Sequence, residues 1–501
     1  MNRSSPRWVA VIALAAAGVR LPFLGLPLSS DEAGYLTVAA QWGQGHSLYG
    51  DYWVDRPPLL LAWYAAAGRA AGLLPHVDPG VALRLVGVAA AVAAVVLAGV
   101  LGRLADRSTR GAVLGAGVCA VLVSSPLLDM SVVDGELLTL PAVLGALVLT
   151  EVATTAGSAR TAAAAAVAAG ALGMAGPLVK QNAAGGLLVL AVASTLLVLR
   201  GHRHRAVLVM GSAALGASAV LGGTVLWAAT RGTDPAALWD AVVAFRGRAS
   251  EVIAGSASAA TPERARRLLL AALGSGAPAV LLLLGRARTD DAGPTPRPDP
   301  MYATPTVLAL LGWEVVGVLA GGSYWLHYLV GLVPALSLVV AAYCHRTRDL
   351  TSSRLRWRRP VLLLAPLVAS LVVSLGIASA SPRERPVDDR AAVAYLRAHG
   401  SRGSTGVVAF GNPALLRAAG MSSPYADLWS LPVRVRDPHL RRLTRLLRDP
   451  SRAPQWVVQY GDSLGSWGLD AHRADPVLQR RYRHVATFGD LEVFRRGQAD
   501  R

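Results

Sequence analysis

The sequence predicts an all-α polytopic membrane protein of about eleven transmembrane helices, with interfacial helices beside them and a small α/β domain at the C-terminus. Three observations predict it. Apolar runs of about 20 residues, the length that crosses a bilayer, recur as far as residue 380. The composition is 53% hydrophobic, and the mean hydropathy is +0.43. From Ser381 onward the chain turns instead to charged and turn-forming residues.

The runs lie near 8–25, 81–101, 111–128, 136–155, 161–178, 183–199, 206–229, 267–285, 303–321, 325–343 and 360–380. The first has the basic start and apolar core of a signal peptide. No small-residue cleavage site follows, and LPFLGLPLSSDE continues the membrane pattern, so it reads as an uncleaved span. Basic residues fix the orientation. Met1 to Arg7, Arg103 to Arg110, Arg200 to Arg205, Arg286 to Arg297 and Arg346 to Arg359 fall on one side, which is then cytoplasmic and holds the N-terminus. The first loop, Asp134, Lys180, residues 231–265 and the C-terminal tail fall on the outer side of a cell membrane.

Residues 57–74 begin with two prolines and contain Arg69. Counting them as a span would invert every later loop, so they read as a helix in or near the outer interface. The outward placement of Arg264, Arg266 and Arg267 is the least comfortable consequence. Alanine-rich 161–172 suits close helix packing, and 287–300, ARTDDAGPTPRPDP, reads as a flexible cytoplasmic linker. No internal repeat is evident.

A net charge of +18 would suit nucleic acid in a soluble chain. Here the arginines sit in short loops between spans, which points to anionic membrane lipid and away from nucleic acid. Cys119 and Cys344 both fall within spans and suggest neither a disulfide framework nor a zinc site.

The organisation is therefore a membrane domain over residues 1–380, with a first extracytoplasmic loop at 26–80, and an extracytoplasmic α/β domain over 381–501. In that tail, 387–399 has helical periodicity, and 405–410, 455–460 and 484–494 read as strands. It carries no Gly-rich phosphate loop, metal-ligand spacing or nucleophile motif.

The chemistry concentrates in Ser29 to Pro58. This loop holds Asp31, Glu32, Asp51, Asp55, Arg56 and His46 among the aromatics Tyr35, Trp42, Tyr49, Tyr52 and Trp53. So many ionisable groups would be costly in lipid, so the loop lines a wet site at the surface. Ser29 and Glu32 have capping-box spacing, which sets Asp31 and Glu32 in the first turn of a helix, with Tyr35 one turn on. Asp134 and Glu136 form a second acidic pair at an outer mouth, where Asp134 would equally cap the following helix. Lys180 ends a span on the same side, where a snorkelling lysine is also common. His327 begins another. Trp239, Phe245, Arg246, Arg248 and Glu251 lie at partly helical spacing in 231–265, as an interfacial helix or a solvated connection.

These residues resemble a family. The first span, the loop opening with Asp-Glu and Tyr, and then G-x-x-LY-x-D-x-x-x-x-R-PP are similar to the membrane glycosyltransferases of the C-type superfamily (GT-C). The likeness is strongest to the RgtA/B/C/D-like group, which is related to the lipid A aminoarabinose transferases and protein O-mannosyltransferases. ALRLVGVAAAV at 82–92, SPLLDMSVVDGELL, GPLVKQNA at 176–183 and HYLVGLVPAL at 327–336 follow in order, so the resemblance covers about residues 8–345.

The resemblance implies transfer of a sugar from a polyprenyl-phosphate donor to an envelope acceptor at the outer face. By motif position Asp31 is the acceptor-activating base with Glu32 beside it, Asp134 is the second acidic position, and Lys180 meets the donor phosphate. Arg56 stands where relatives usually carry lysine, and His327 where they often carry arginine. Tyr35, Tyr49, Arg56, Glu136, Lys180 and His327 are thus the substrate-binding candidates. A divalent cation is left open, because Asp31, Glu32 and Asp134 supply few ligands. A transporter or lipid flippase is the alternative, since intramembrane charges also mark translocation paths. Duplicated halves and paired broken spans are not evident in the sequence.

Overall fold

The computed structural model describes residues 4–43, 45–73, 77–255, 260–289, 299–348, 353–380, 384–401 and 403–497. Most of the linker expected at 287–300 lies outside these residues.

The chain opens with α1 (Ser4–Arg20), a short α2 (Ser30–Gln41) and α3 (Pro58–Leu73). A run of helices follows: α4 (Pro79–Asp106), α5 (Thr109–Val123), α6 (Gly135–Thr155), α7 (Ala159–Val179), α8 (Gly185–Leu199) and α9 (Arg203–Thr230). Next come α10 (Pro235–Trp239), α11 (Phe245–Gly255), α12 (Ala260–Gly274), α13 (Ala277–Thr289), α14 (Thr304–Leu319), α15 (Val333–Arg346) and α16 (Ser353–Ala380).

Each predicted span falls on helix. Among the described residues, six stretches are long and apolar enough to cross a membrane: Ser5–Phe23, Pro79–Asp106, Gly135–Thr155, Ala159–Val179, Arg203–Thr230 and Leu326–Arg346. The segment expected as one span at 267–285 is instead a pair of helices bent by 61°, which would make a seventh. The bend is at Gly276, whose φ of +82° lies in the left-handed region. Thr109–Val123, Gly185–Leu199, Thr304–Leu319 and Leu364–Ala380 are apolar but shorter, so helix length alone does not give the expected eleven. The stretch read as an interfacial helix at 57–74 is helical over Pro58–Leu73, and this α3 buries Leu60, Leu61, Tyr64 and Ala67 along one side.

The helices pack through small residues. A Cβ at Gly170 of α7 would meet the Ala213 carbonyl of α9, and one at Gly216 would meet that of Val167. Such contacts let backbones approach closely where lipid gives no hydrophobic drive for helix association. Leu14, Leu199, Leu226 and Ile377 point outward and are exposed. In water such a surface would be a liability, whereas against acyl chains it is the stable one.

The tail is an α/β unit: α17 (Val387–His399), β1 (Gly406–Ala409), α18 (Pro413–Ala418), α19 (Ser430–Arg436), α20 (Arg441–Arg448), β2 (Trp456–Tyr460), α21 (Asp475–Arg481), β3 (Tyr482–Phe488) and β4 (Leu491–Arg496). The sheet order is β1-β2-β4-β3, with β1 parallel to β2 and the remaining pairs antiparallel. Alternation along β2 divides the core. Val457 joins Leu443, Leu447 and Leu478, while Trp456 and Val458 join the cluster that holds Val393 and Leu396 of α17 and runs on into the helical bundle. The single strand expected at 484–494 is a hairpin, turned at Gly489 with φ +56°.

Candidate active site

α2 begins as its sequence requires. Ser29 accepts from the Glu32 N–H, and Glu32 returns the bond to the Ser29 N–H at 2.9 Å. Glu32 is fully buried, and further partners occupy its carboxylate. Arg84 donates to both oxygens at 3.0 and 3.1 Å, and the Val133 N–H donates at 2.9 Å. It thus ties α2 to α4 and to the turn before α6 and does not open into the site. Asp31, its neighbour, is only half-buried. One oxygen accepts the indole N–H of Trp429 at 2.9 Å, and the Trp429 ring lies 5.3 Å from that of Tyr35.

After α2 the first loop folds back between the tail and the segment after α9. The Trp53 N–H bonds the Ala426 carbonyl at 3.1 Å, its ring packs on Phe245 at 4.5 Å, and the Arg436 guanidinium covers it at 4.4 Å. Arg231 donates to the Trp42 carbonyl at 2.6 Å. Residues 235–255 are therefore one docked helical run, π-helical over Asp240–Ala244, that buries Phe245 and leaves Trp239 exposed.

This docking fixes Asp55 and Arg56. Asp55 pairs with Arg56 and Arg246, both at 2.8 Å, and its carbonyl accepts from Gln181 at 2.7 Å. Burial would raise the Asp55 carboxyl, but Arg246 and Arg56 hold it below its ordinary value. Burial would likewise lower Arg56, and Asp55, Tyr35 and Asp31 outweigh it, so the guanidinium stays charged. Arg56 lies 5.9 Å over the Tyr35 ring. Tyr49, expected to meet substrate, is buried and donates its hydroxyl to the Arg56 carbonyl at 2.7 Å. It supports Arg56 from behind.

The second acidic pair stands at the start of α6. Asp134 caps the helix, with Oδ1 accepting from the Leu137 N–H at 2.9 Å, while its Oδ2 is buried without a hydrogen-bond partner. The His327 Nδ1 lies 3.7 Å from that oxygen. Glu136 makes an ion pair with Lys180, whose ammonium also lies 4.7 Å over the Tyr328 ring. Ligand atoms of Asp134, Glu136 and His327 fall within 4.8 Å of one another. Two carboxylates, an imidazole and an orphaned buried oxygen suit a divalent cation.

Asp31 sits close enough to Arg56, Lys180 and Tyr328 to act on the charge of each. The buried Tyr64 hydroxyl, bonded to the Val133 carbonyl at 2.6 Å, lies within reach of the charges of both Asp31 and Asp134. The two acidic segments and the two cations thus gather at one end of the bundle. Sequence reasoning did not single out Trp429, Arg84 or Arg246 as site residues. A lone arginine in an apolar span was a usable signal for Arg84; Trp429 offered none.

No family model matches the sequence, and no curated protein matches it. Solved structures do match. ArnT from Cupriavidus metallidurans bound to undecaprenyl phosphate superposes with a TM-score of 0.63 at 12% identity, over 98% of each chain. Its apo state gives 0.63 at 13% identity over the same shares. The Archaeoglobus fulgidus oligosaccharyltransferase in complex with Zn and sulfate gives 0.52 at 13% identity, over 95% of this chain and 71% of that one. These neighbours are GT-C glycosyltransferases, and the fold here is the GT-C membrane fold. The ArnT match takes in the tail, which the sequence motifs did not reach.

Proposed function

We propose that the chain is a membrane glycosyltransferase that moves a sugar from a polyprenyl-phosphate donor to a hydroxyl of a cell-envelope acceptor, with Asp31 as the base. Residues 1–380 form the membrane catalytic domain, 26–80 its first outer loop and 381–501 an extracytoplasmic domain, in a cell membrane with the N-terminus cytoplasmic. What supports the reading is the grouping of Asp31 with cations at one end of the bundle: Trp429, which holds Asp31, packs on the Tyr35 ring that Arg56 covers, and Lys180 lies within range of the Asp31 charge.

In the reaction the acceptor oxygen attacks the anomeric carbon from the side opposite the phosphate. The bond from that carbon to the phosphate oxygen breaks, and its electron pair leaves with the lipid phosphate. The hydroxyl proton passes to Asp31 through Oδ2, the oxygen that Trp429 does not hold. One displacement inverts the anomeric configuration. Arg56 and Lys180 face negative charge that grows as the phosphate departs, so they favour the transition state over the ground state. Lys180 has three donors, so it can hold Glu136 and a phosphate oxygen together. A divalent cation on Asp134, Glu136 and His327 would add a further positive charge for phosphate oxygens. Glu32 acts by positioning α2.

Purified protein, a radiolabelled polyprenyl-phosphate sugar and an envelope extract test this. Wild type should release polyprenyl phosphate, and Asp31→Asn should not while eluting as wild type does. Movement of the intact donor across liposomes without bond cleavage would point to a transporter instead.

A further inference from the structure

The bundle and the tail also border a cleft of about 640 Å³ that plays no part in the chemistry above. It lies against the face of α2 that carries Ala33, Thr37 and Ala40. At 100° per residue that face is turned away from Asp31 and Tyr35, so the cleft is separate from the candidate active site.

Its walls differ in chemistry. On one side are Leu24 and Leu28, half-buried and just beyond the end of the first apolar span at Phe23. On the other are three guanidiniums from the tail, Arg385, Arg397 and Arg417. Arg397 donates from Nε to the Ala418 carbonyl at 2.7 Å, which leaves its terminal nitrogens for another partner. The Arg417 guanidinium makes no hydrogen bond or ion pair among the described residues, although the residue is partly buried. Its burial lowers its pKa, and Asp78 is the charge that opposes this. Among the described residues Asp78 is the one acid lining the cleft, and its Oδ1 already accepts the Gly80 N–H at 2.7 Å. The Gln41 Oε1, on the α2 wall, is buried without a partner.

A partly buried guanidinium that no acceptor holds by a hydrogen bond or close ion pair is costly unless a ligand supplies one. Guanidiniums match phosphate geometry, and the leucine wall follows directly in the chain on the first apolar stretch, which ends at Phe23. We infer that this cleft is a phosphate-binding site, separate from the transfer site, in which Arg417, Arg397 and Arg385 hold the phosphate and Leu24 and Leu28 flank whatever carries it. The carrier is a phospholipid headgroup or a free phosphate. The inference does not depend on the transferase reading.

The test uses the full chain in a neutral detergent, titrated with short-chain phosphatidylglycerol and separately with inorganic phosphate, and reads the rise in melting temperature. Arg417→Gln should weaken apparent affinity about 10-fold or more, as loss of a charged hydrogen bond does, and Arg417→Lys should recover part of it. Ala40→Trp fills the cleft from the α2 side with every guanidinium in place, and should also abolish saturation. Saturation by both probes would show that phosphate alone suffices, and saturation by the lipid alone that the leucine wall is needed. Identical titrations in wild type, Arg417→Gln and Ala40→Trp would overturn the site, as would no saturation by either probe. Neither result bears on sugar transfer.

Discussion

The indole N–H of Trp429 donates to Asp31 Oδ1 at 2.9 Å, a bond between positions 398 residues apart. The contact is shaped from both sides. A Cβ at position 34 would meet the Trp429 ring, so α2 accepts the indole because residue 34 is glycine. The tail therefore reaches the proposed base directly. Trp429→Phe keeps the ring and removes the donor, leaving Asp31 free to rotate. A hydrogen bond to a charged group is worth about 1.5–3 kcal/mol, so kcat should fall about tenfold or more. KM for the lipid donor should change little, because Arg56 and Lys180 are untouched. Steady-state kinetics at saturating donor check this, and an unchanged kcat would remove Trp429 from the mechanism.

Adjacent carboxylates should respond in opposite ways. Asp31→Asn should abolish transfer and leave melting unchanged, since Asp31 is half-buried and its side chain has one hydrogen bond among the described residues, which the Asn oxygen can still accept. Arg84→Ala should do the reverse in kind: it strands the fully buried Glu32 carboxylate, at a cost of about 3–5 kcal/mol. That is a large part of ordinary protein stability. Size-exclusion recovery from detergent and thermal melting of the two variants check the contrast.

The difference between these carboxylates marks how far the sequence could be read. Ser29, Asp31 and Glu32 announced the helix start, and the capping box formed as its spacing requires. The apolar runs announced the helices because lipid forces backbone pairing within each segment. α17 also took the 387–399 bounds that its periodicity predicts. What spacing cannot carry is contact between residues far apart in the chain. Glu32 and Arg84 are 52 apart, and nothing local marks Glu32 as the buried member of its pair. His327 meets Asp134 only because the turn that begins at Leu326 packs beside the start of α6. Gly276 breaks a run whose hydropathy alone reads as one continuous span.

Acid should act through Asp55. Its folded-state pKa is depressed by Arg246 and Arg56 against the opposing effect of burial, so its stabilisation is present above the unfolded value of about 4 and is lost as pH falls through the folded value. Wild type should therefore lose melting temperature below about pH 4. Asp55→Asn should be less stable at neutral pH, and the gap should close as the pH falls. Melting curves from pH 3 to 7, a range set by that ordinary carboxylate value, check the convergence. A constant gap would mean that the ion pairs contribute nothing specific.

Metal removal gives the sharpest division within the second acidic cluster. Asp134 brings an orphaned buried oxygen, Glu136 an oxygen shared with Lys180, and His327 an imidazole nitrogen. If a divalent cation belongs there, protein purified without chelator should carry about one equivalent of metal per chain, as a three-ligand site holds. His327→Ala should lose it while Asp31→Asn keeps it, because Asp31 is outside the cluster. Chelation should lower transfer, and added Zn²⁺ or Mn²⁺ should restore it in wild type but not in His327→Ala. Lys180→Met removes the ammonium that competes for Glu136, so its metal affinity should rise even as its transfer rate falls. Metal content that is the same in wild type and His327→Ala would instead leave Asp134 as a helix cap and Glu136 as the counter-ion of Lys180.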